Sequence, residues 1–124
     1  NHGGRQLDYG LGGLKVLPEI VNAINGKSKI FFDGGIMRGT DVVKAIALGA
    51  DIVGIGRLQG LAAAAGGAKA IFRMLELLEL EISTCLRLLG ANSFNELNKS
   101  FLTNDNSFGT LDVLSSFPLL REGY

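Results

Sequence analysis

The sequence predicts an α/β fold in which short parallel strands alternate with helices. Two short apolar runs are each followed by glycines, and segments with helical spacing of apolar residues flank both of them. Strands in such an alternation pair in parallel and are covered by the helices between them. The order matches the last units of a (β/α)8 barrel. Because a whole barrel takes about 250 residues, the 124-residue chain is expected to be the C-terminal part of one.

The first helix is marked by apolar residues at helical spacing, namely Leu17, Ile20, Val21 and Ile24. Pro18 is tolerated in the first turn of a helix, and Gly26 is placed to end it. Residues 29–32 then predict a short buried strand. This strand stops at Asp33, Gly34 and Gly35.

The second helix is predicted to start at Thr40, a good N-cap, with Asp41 in its first turn and Gly49 as its stop. Its apolar face consists of Val42, Val43, Ile46 and Ala47. Residues 51–56 predict a second strand, which also ends in glycine, and Arg57 follows it immediately.

A long helix is predicted over residues 68–89, after an alanine-rich stretch that begins at Gly60. Its apolar stripe consists of Ile71, Met74, Leu75, Leu78, Ile82, Cys85 and Leu89. Leu77, Leu80 and Leu88 widen this stripe beyond one contact surface, so we expect packing partners on two sides of the helix.

The C-terminal residues predict less regular structure. A short helix is expected over residues 93–98, with Ser93 as its cap and Glu96 completing a capping box. Residues 103–124 combine Asn, Ser and Gly with scattered hydrophobic residues, which predicts an irregular tail.

Composition and charge favour a globular chain and exclude several function classes. Hydrophobic residues make up 47% of the chain, and 12 basic residues balance 12 acidic ones, so no basic face for a nucleic acid is expected. The single cysteine, Cys85, excludes an internal disulfide and a multi-cysteine metal site, and it fits a cytoplasmic location. Arg57 and Gln59 interrupt the weakly polar stretch 52–68, so a membrane span is not expected.

The run of residues 2–8, His-Gly-Gly-Arg-Gln-Leu-Asp, contains the only histidine of the chain. The His2 imidazole can exchange protons near neutral pH, and the Arg5 guanidinium can hold a carboxylate through two parallel hydrogen bonds. Together they suit the oxidation of a small acid that carries a hydroxyl beside its carboxylate. A lone histidine is otherwise usually structural or simply exposed, and a structural role is the simplest one for Asp8.

A second group of chemistry-bearing residues lies at the predicted strand ends, in residues 33–41 and at Gly56 and Arg57. Glycines let backbone N–H groups approach phosphate oxygens, and Arg38 and Arg57 can neutralise the phosphate charge. The alternative is that the glycines only turn the chain and that both arginines are solvated. Placement at two consecutive strand ends favours the phosphate site.

These motifs together resemble the FMN-dependent α-hydroxy acid oxidases and dehydrogenases, the family of the glycolate oxidase, lactate oxidase and flavocytochrome b2 type. The matching segments, in the family's order, are residues 2–8, 17–20, 33–41, 45–50, and 56–57. The resemblance covers residues 1–102 as one barrel-derived domain and leaves 103–124 as an unmatched tail. It implies an oxidoreductase flavoprotein with a TIM-barrel fold.

The resemblance also implies roles for individual residues. His2 matches the active-site base, and Arg5 matches the residue that binds the substrate carboxylate. The FMN-binding positions are Asp33, Gly34 and Gly35 in one half of the phosphate loop, and Gly56 and Arg57 in the other. The implied reaction converts a small 2-hydroxy carboxylate to a 2-oxo acid, without a metal. Electrons pass through FMN to oxygen, a quinone or a cytochrome, and the intact parent protein is expected to be a homo-oligomer.

Two positions depart from the family's pattern. The family has an arginine on the FMN phosphate where this chain has Met37, and Arg38 beside it is the candidate substitute, although its side chain is expected to leave the loop in a different direction. After Arg57 the family runs through a proline and several residues before Gly-Leu-Ala, whereas here Gly60 follows after two residues, which predicts a shortened loop.

Further active-site residues of the family lie on earlier strands, so the chain alone is expected to be inactive. Two alternatives stay open. One is a non-catalytic, barrel-derived scaffold that has lost FMN through Met37 and the shortened loop. The other is a different phosphate-binding barrel enzyme, such as an isomerase.

Overall fold

A computed structural model describes residues 6–7 and 9–103 of the chain. The helices and strands run in the order α1 (Gly13–Ile24), β1 (Phe31–Asp33), α2 (Gly39–Ala47), β2 (Ile52–Gly54) and α3 (Arg57–Leu89). Two 3₁₀ turns follow, at Phe94–Glu96 and Lys99–Phe101. His2, Arg5 and Asp8 lie outside the described residues, and so does the predicted tail from residue 104 onward.

The two strands form a parallel pair, as predicted, in which Phe31 lies opposite Ile52 and Asp33 lies opposite Gly54. The carboxylate of Asp51 joins their starts, because it accepts a hydrogen bond from the Ile30 N–H (2.9 Å) and pairs with the Lys29 ammonium (2.7 Å). Since parallel strands run in the same direction, the segments after Asp33 and Gly54 leave the sheet at one edge.

The described core consists of two clusters on either side of α2. The first contains Leu17, Phe32, Ile36, Ala45 and Ala50, and it joins α1, β1 and α2. The second contains Val43, Ala47, Ala91 and Leu97, and it joins α2 to the segment after α3. Helix α2 is therefore the central packing element of the described part.

The strands are less buried than the sequence predicts. Phe32 is buried, but Phe31 is 72% exposed and Ile52 is also exposed. Side chains alternate between the two faces of a strand, and among the described elements the helices pack on the Phe32 face only. The predicted burial of this strand is therefore found on its Phe32 face and not on its Phe31 face within the described residues.

Helix α1 begins earlier and ends earlier than predicted. It starts at Gly13, so Pro18 lies inside the helix rather than in its first turn, where its missing N–H would cost nothing. The helix ends at Ile24, and Asn25 adopts the left-handed conformation (φ 46°) one residue before the predicted stop at Gly26. Ile20, predicted to be on the apolar face, is exposed.

Helix α3 consists of two arms separated by a kink. Gly66 (φ −168°, ψ 23°) and Gly67 (φ 59°, ψ −143°) depart from helical geometry. Residues 57–65 form the first arm, and residues 68–89 form the second arm, which is the predicted long helix. The conformation of Gly67 is open essentially to glycine alone.

The second arm of α3 has an exposed apolar face. Met74 and Leu78 are buried, whereas the other leucines of this face lie in solvent: Leu75, Leu77, Leu80 and Leu88. Helix α2 packs against one side of this arm, and the segment after α3 contributes Ala91 and Leu97 to the cluster that includes Ile82. Within residues 6–7 and 9–103 nothing covers the four exposed leucines.

The short helix predicted over 93–98 is replaced by the 3₁₀ turn Phe94–Glu96, and the predicted capping box does not form. The Glu96 carboxylate accepts the N–H of Asn92 (3.1 Å) rather than that of Ser93. Within the described segments, no helix combines the length and the apolar character needed to cross a membrane.

Candidate functional site

A cleft lies at the edge where both strands end. It is open to solvent and is lined by Asp33, Gly34, Gly35, Ile36, Met37, Gly54, Gly56 and Arg57. Five of the six residues predicted to bind the cofactor line it, and the sixth, Arg38, does not. The parallel register produces this grouping, because Asp33 and Gly54 are opposite each other and their following segments meet.

The segment after β1 is built on two glycines in the left-handed region, Gly34 (φ 109°) and Gly35 (φ 75°). A β-carbon at Gly35 would meet no atom within 4 Å, so the backbone conformation and not space demands glycine there. Because glycine has no side chain, the backbone at these two positions is accessible to an anion such as phosphate.

The segment after β2 leads into the first arm of α3, with Gly56 at the N-cap and Arg57 as the first helical residue. The first N–H groups of a helix have no partner within it, and they carry a partial positive charge. The first turn contains no acidic residue that would offset this charge. Arg57 adds a full positive charge at the same place, so this wall of the cleft favours an anion.

Arg38 points away from this cleft and is paired with Glu81 on the second arm of α3. Its Nε lies 2.8 Å and its Nη2 lies 2.6 Å from Glu81 Oε1. The backbone of Arg38 is extended (φ −133°, ψ 157°), so successive side chains alternate in direction, and Met37 rather than Arg38 faces the cleft. The structure thus does not place Arg38 as the substitute phosphate contact expected from the sequence.

The N-terminus of α2 is capped differently from the prediction. The helix begins at Gly39, so Thr40 is not its N-cap. Instead the Asp41 carboxylate accepts the N–H groups of Met37 (3.1 Å) and Arg38 (3.0 Å) through one oxygen. These two amide groups are therefore used within the chain.

Glu81 was not among the sequence-predicted site residues, yet it holds the segment beside the cleft. Its Oε2 accepts the Gly39 N–H at 2.7 Å, while its Oε1 binds Arg38. The signal that could have drawn attention to it is its position as a carboxylate between Leu80 and Ile82 in an apolar stretch.

The Glu81–Arg38 pair makes the stability of the chain depend on pH. The hydrogen bond from Arg38 holds the pKa of the Glu81 carboxyl below its ordinary value of 4.5. The pair therefore stabilises the fold above that ordinary value, and the stabilisation is lost as pH falls through the lowered folded-state pKa.

We expect the melting temperature to fall between about pH 7 and about pH 3 by more in the unaltered chain than in Glu81→Gln, which has no carboxyl to titrate at this position. Circular dichroism melts at several pH values measure this difference. Equal decreases in both proteins would contradict the assignment of acid sensitivity to Glu81. Asp51 also has a lowered pKa, through its hydrogen bond from Lys29. Because both proteins contain Asp51, its contribution does not affect the difference between their melting temperatures.

Comparisons with known proteins agree with this geometry. Residues 1–104 match the family described as FMN-dependent dehydrogenase. An L-lactate oxidase of Nostoc sp. is 47% identical over 104 residues, covering 82% of this chain and 28% of that protein. Glycolate oxidase 3 of Arabidopsis thaliana is 41% identical over 105 residues, covering 85% of this chain and 28% of that protein.

A solved structure extends the comparison to the fold. The crystal structure of mandelate oxidase with benzoyl-formic acid is 45% identical, with a TM-score of 0.73 over 77% of this chain and 28% of that one. A second structure of similar likeness is a mandelate oxidase mutant with the monooxide FMN adduct. The chain thus spans less than a third of the length of the relatives it matches.

Proposed function

The chain belongs to the FMN-dependent dehydrogenase family, and from this premise we propose that it forms part of an enzyme that oxidises a small 2-hydroxy carboxylate to a 2-oxo acid. The names of the similar proteins support this reaction class, because lactate, glycolate and mandelate are all 2-hydroxy acids. FMN is the cofactor of the family, and when bound it would supply the electron acceptor for the substrate.

The observation that carries the proposal is the cleft at the strand ends. A phosphate group is an anion with several oxygens, and the cleft offers Arg57, the N-terminus of α3 and glycine backbone. A β-carbon at Gly35 or at Gly56 would meet nothing within 4 Å, so no atoms crowd these two positions. The residues present therefore fit the phosphate end of FMN, and Arg57 with Gly34, Gly35 and Gly56 would hold it.

The substrate end of the site is proposed from the family match, which includes residues 1–8. His2 acts as the base that accepts the substrate proton, since a neutral imidazole does this near neutral pH. Arg5 binds and orients the substrate carboxylate through its planar guanidinium. The remaining strands of a closed barrel would have to accompany this chain for activity, because the described part contains two strands only.

One observation favours the alternative of a scaffold without FMN. The cleft holds Met37 where the family has a phosphate-binding arginine, and Arg38 is engaged by Glu81. In this alternative, Arg57 alone would be insufficient for the phosphate.

A graft separates the two functions. Residues 1–104 replace the matched segment of the Nostoc L-lactate oxidase, and the graft is purified beside the unaltered oxidase. We expect a yellow graft that L-lactate bleaches in the absence of oxygen. A folded, colourless graft that added FMN cannot reconstitute would contradict the enzyme and support the scaffold. The 124-residue chain in the same assay tests whether it is inactive alone.

A further inference from the structure

Glu81 connects the segment beside the cleft to the second arm of α3 through both of its carboxylate oxygens. Oε2 accepts the Gly39 N–H at 2.7 Å, and Oε1 accepts the Arg38 Nε–H at 2.8 Å. The Glu81 side chain is 29% exposed and that of Arg38 is 70% exposed, so the carboxylate is the more enclosed partner. The carboxylate is fixed on a helix, whereas its partners follow a glycine-containing loop.

Two carboxylates together occupy three consecutive main-chain donors. Asp41 accepts the N–H groups of Met37 and Arg38, and Glu81 accepts that of Gly39. These three amide groups are therefore held by the chain's own acids. Main-chain contacts to a phosphate in the cleft are accordingly expected from the glycine segment after β1 and from the first turn of α3.

Helices α2 and α3 are in close contact at Gly39. A β-carbon at Gly39 would lie 2.6 Å from Glu81 Cβ and 2.7 Å from the Ile82 N, so the two helices touch backbone to backbone. At its other end the loop is anchored by Asp33, which is paired with Gly54 in the sheet. The loop of residues 34–38 is thus held at both ends, and Glu81 provides one of the two attachments.

We propose that Glu81 is a positioning residue for the phosphate loop: it fixes the Gly39 end of the loop and keeps Arg38 out of the cleft, so that the loop presents glycine backbone to the FMN phosphate. This inference rests on the proposed function for the identity of the ligand. A competing role for Glu81 predicts the opposite change in FMN affinity. If Glu81 merely withheld a phosphate-binding arginine, its removal would free Arg38 and strengthen FMN binding.

Four variants of the full 124-residue chain distinguish these cases. Glu81→Ala removes both attachments, and Glu81→Gln keeps an oxygen for the Gly39 N–H. Arg38→Gln removes the ion pair and leaves the Gly39 bond. Glu79→Ala is the matched control, because Glu79 is an exposed acid on the same arm. Titration with FMN, followed by flavin fluorescence, gives the affinity, and amide hydrogen exchange reports the loop in the free chain.

We expect Glu81→Ala to weaken FMN binding about tenfold, as the loss of a charge-assisted hydrogen bond predicts. Exchange of the Gly39 amide should accelerate by a similar factor while amides in the middle of α2 keep their rates. Glu81→Gln should recover most of both effects, and Arg38→Gln and Glu79→Ala should bind FMN within about twofold of the unaltered chain.

Several results would overturn the proposal. FMN binding that is unchanged or tighter in Glu81→Ala would show that Glu81 does not position the loop. A tenfold loss in Arg38→Gln would make Arg38 a ligand instead. Equal acceleration of exchange along all of α2 would show a general structural role. If Glu81→Ala does not fold, Glu81→Asp replaces it, because the shorter carboxylate keeps the charge but does not reach the Gly39 N–H, and it must weaken FMN binding by more than Arg38→Gln does. If the unaltered chain binds no FMN, its own binding of the cofactor is refuted, and the Gly39 exchange rate alone decides on Glu81.

Discussion

Replacing Arg57 with alanine is expected to weaken FMN binding about 10- to 100-fold, because a charge-assisted contact to phosphate contributes about 1.5–3 kcal/mol. Arg57 is the one guanidinium among the residues that line the cleft. It lies on the first turn of α3, so its charge adds to that of the unpaired N–H groups there. The Arg57→Lys variant should lose part of the affinity, since an ammonium keeps the charge but lacks the planar fork.

Riboflavin gives the control for this loss, because it is FMN without the phosphate. The affinity for riboflavin should be the same in the unaltered protein and in Arg57→Ala, whether measured in the chain or in the lactate oxidase graft. Arg87→Ala is the matched variant, since the Arg87 guanidinium bonds to Ser83 within its own helix. An equal loss for FMN and riboflavin would place Arg57 near the flavin ring or in the folding of α3, and not at the phosphate.

Replacing Gly39 with alanine is expected to lower the free energy of unfolding by about 2–3 kcal/mol, in the range of overpacking within a closed core. The added β-carbon would lie 2.6 Å from Glu81 Cβ, 2.7 Å from the Ile82 N and 2.8 Å from the Leu78 carbonyl oxygen. Two of these atoms are main chain and cannot move aside without separating α2 from α3. The helix propensity of alanine offsets about 1 kcal/mol at most, so the clash prevails.

Gly12→Ala is the control for this prediction. Gly12 has an ordinary extended backbone (φ −63°), and a β-carbon there meets nothing within 4 Å. The free energy of unfolding of Gly12→Ala should equal or slightly exceed that of the unaltered chain. Urea unfolding followed by circular dichroism measures both variants. A Gly39→Ala protein within about 0.5 kcal/mol of the unaltered chain would show that the helices separate at little cost.

The features that the sequence predicted well are those with a local signal. The parallel pairing of the strands and the second arm of α3 follow from apolar periodicity, and the cleft follows from glycines placed at both strand ends. The end of α1 differs from the prediction because Asn25 can adopt a left-handed conformation and end a helix as glycine does.

Other features depend on contacts between distant residues. Arg38 and Glu81 are 43 positions apart, so no local pattern indicates that one neutralises the other. The sequence predicts that the Arg38 side chain leaves the loop in a different direction from the residue at position 37, but it does not indicate which residue Arg38 meets there. The exposure of Phe31 is a second example, because it depends on which elements pack on the sheet. The sequence of the strand itself does not contain that information.

Because of the kink at Gly66 and Gly67, the orientation of the second arm of α3 about its axis does not depend on the number of residues in the first arm. Within one continuous helix, removing a residue rotates everything beyond it by about 100°, which would carry Glu81 away from Gly39. Glycines that accept non-helical angles take up such a rotation before it reaches the second arm. The chain between Arg57 and the kink can therefore change length while the contact of α2 with the second arm is conserved. If the segment after Arg57 is shorter than in the family, as the sequence predicts, the contact of α2 with the second arm is expected to stay unchanged.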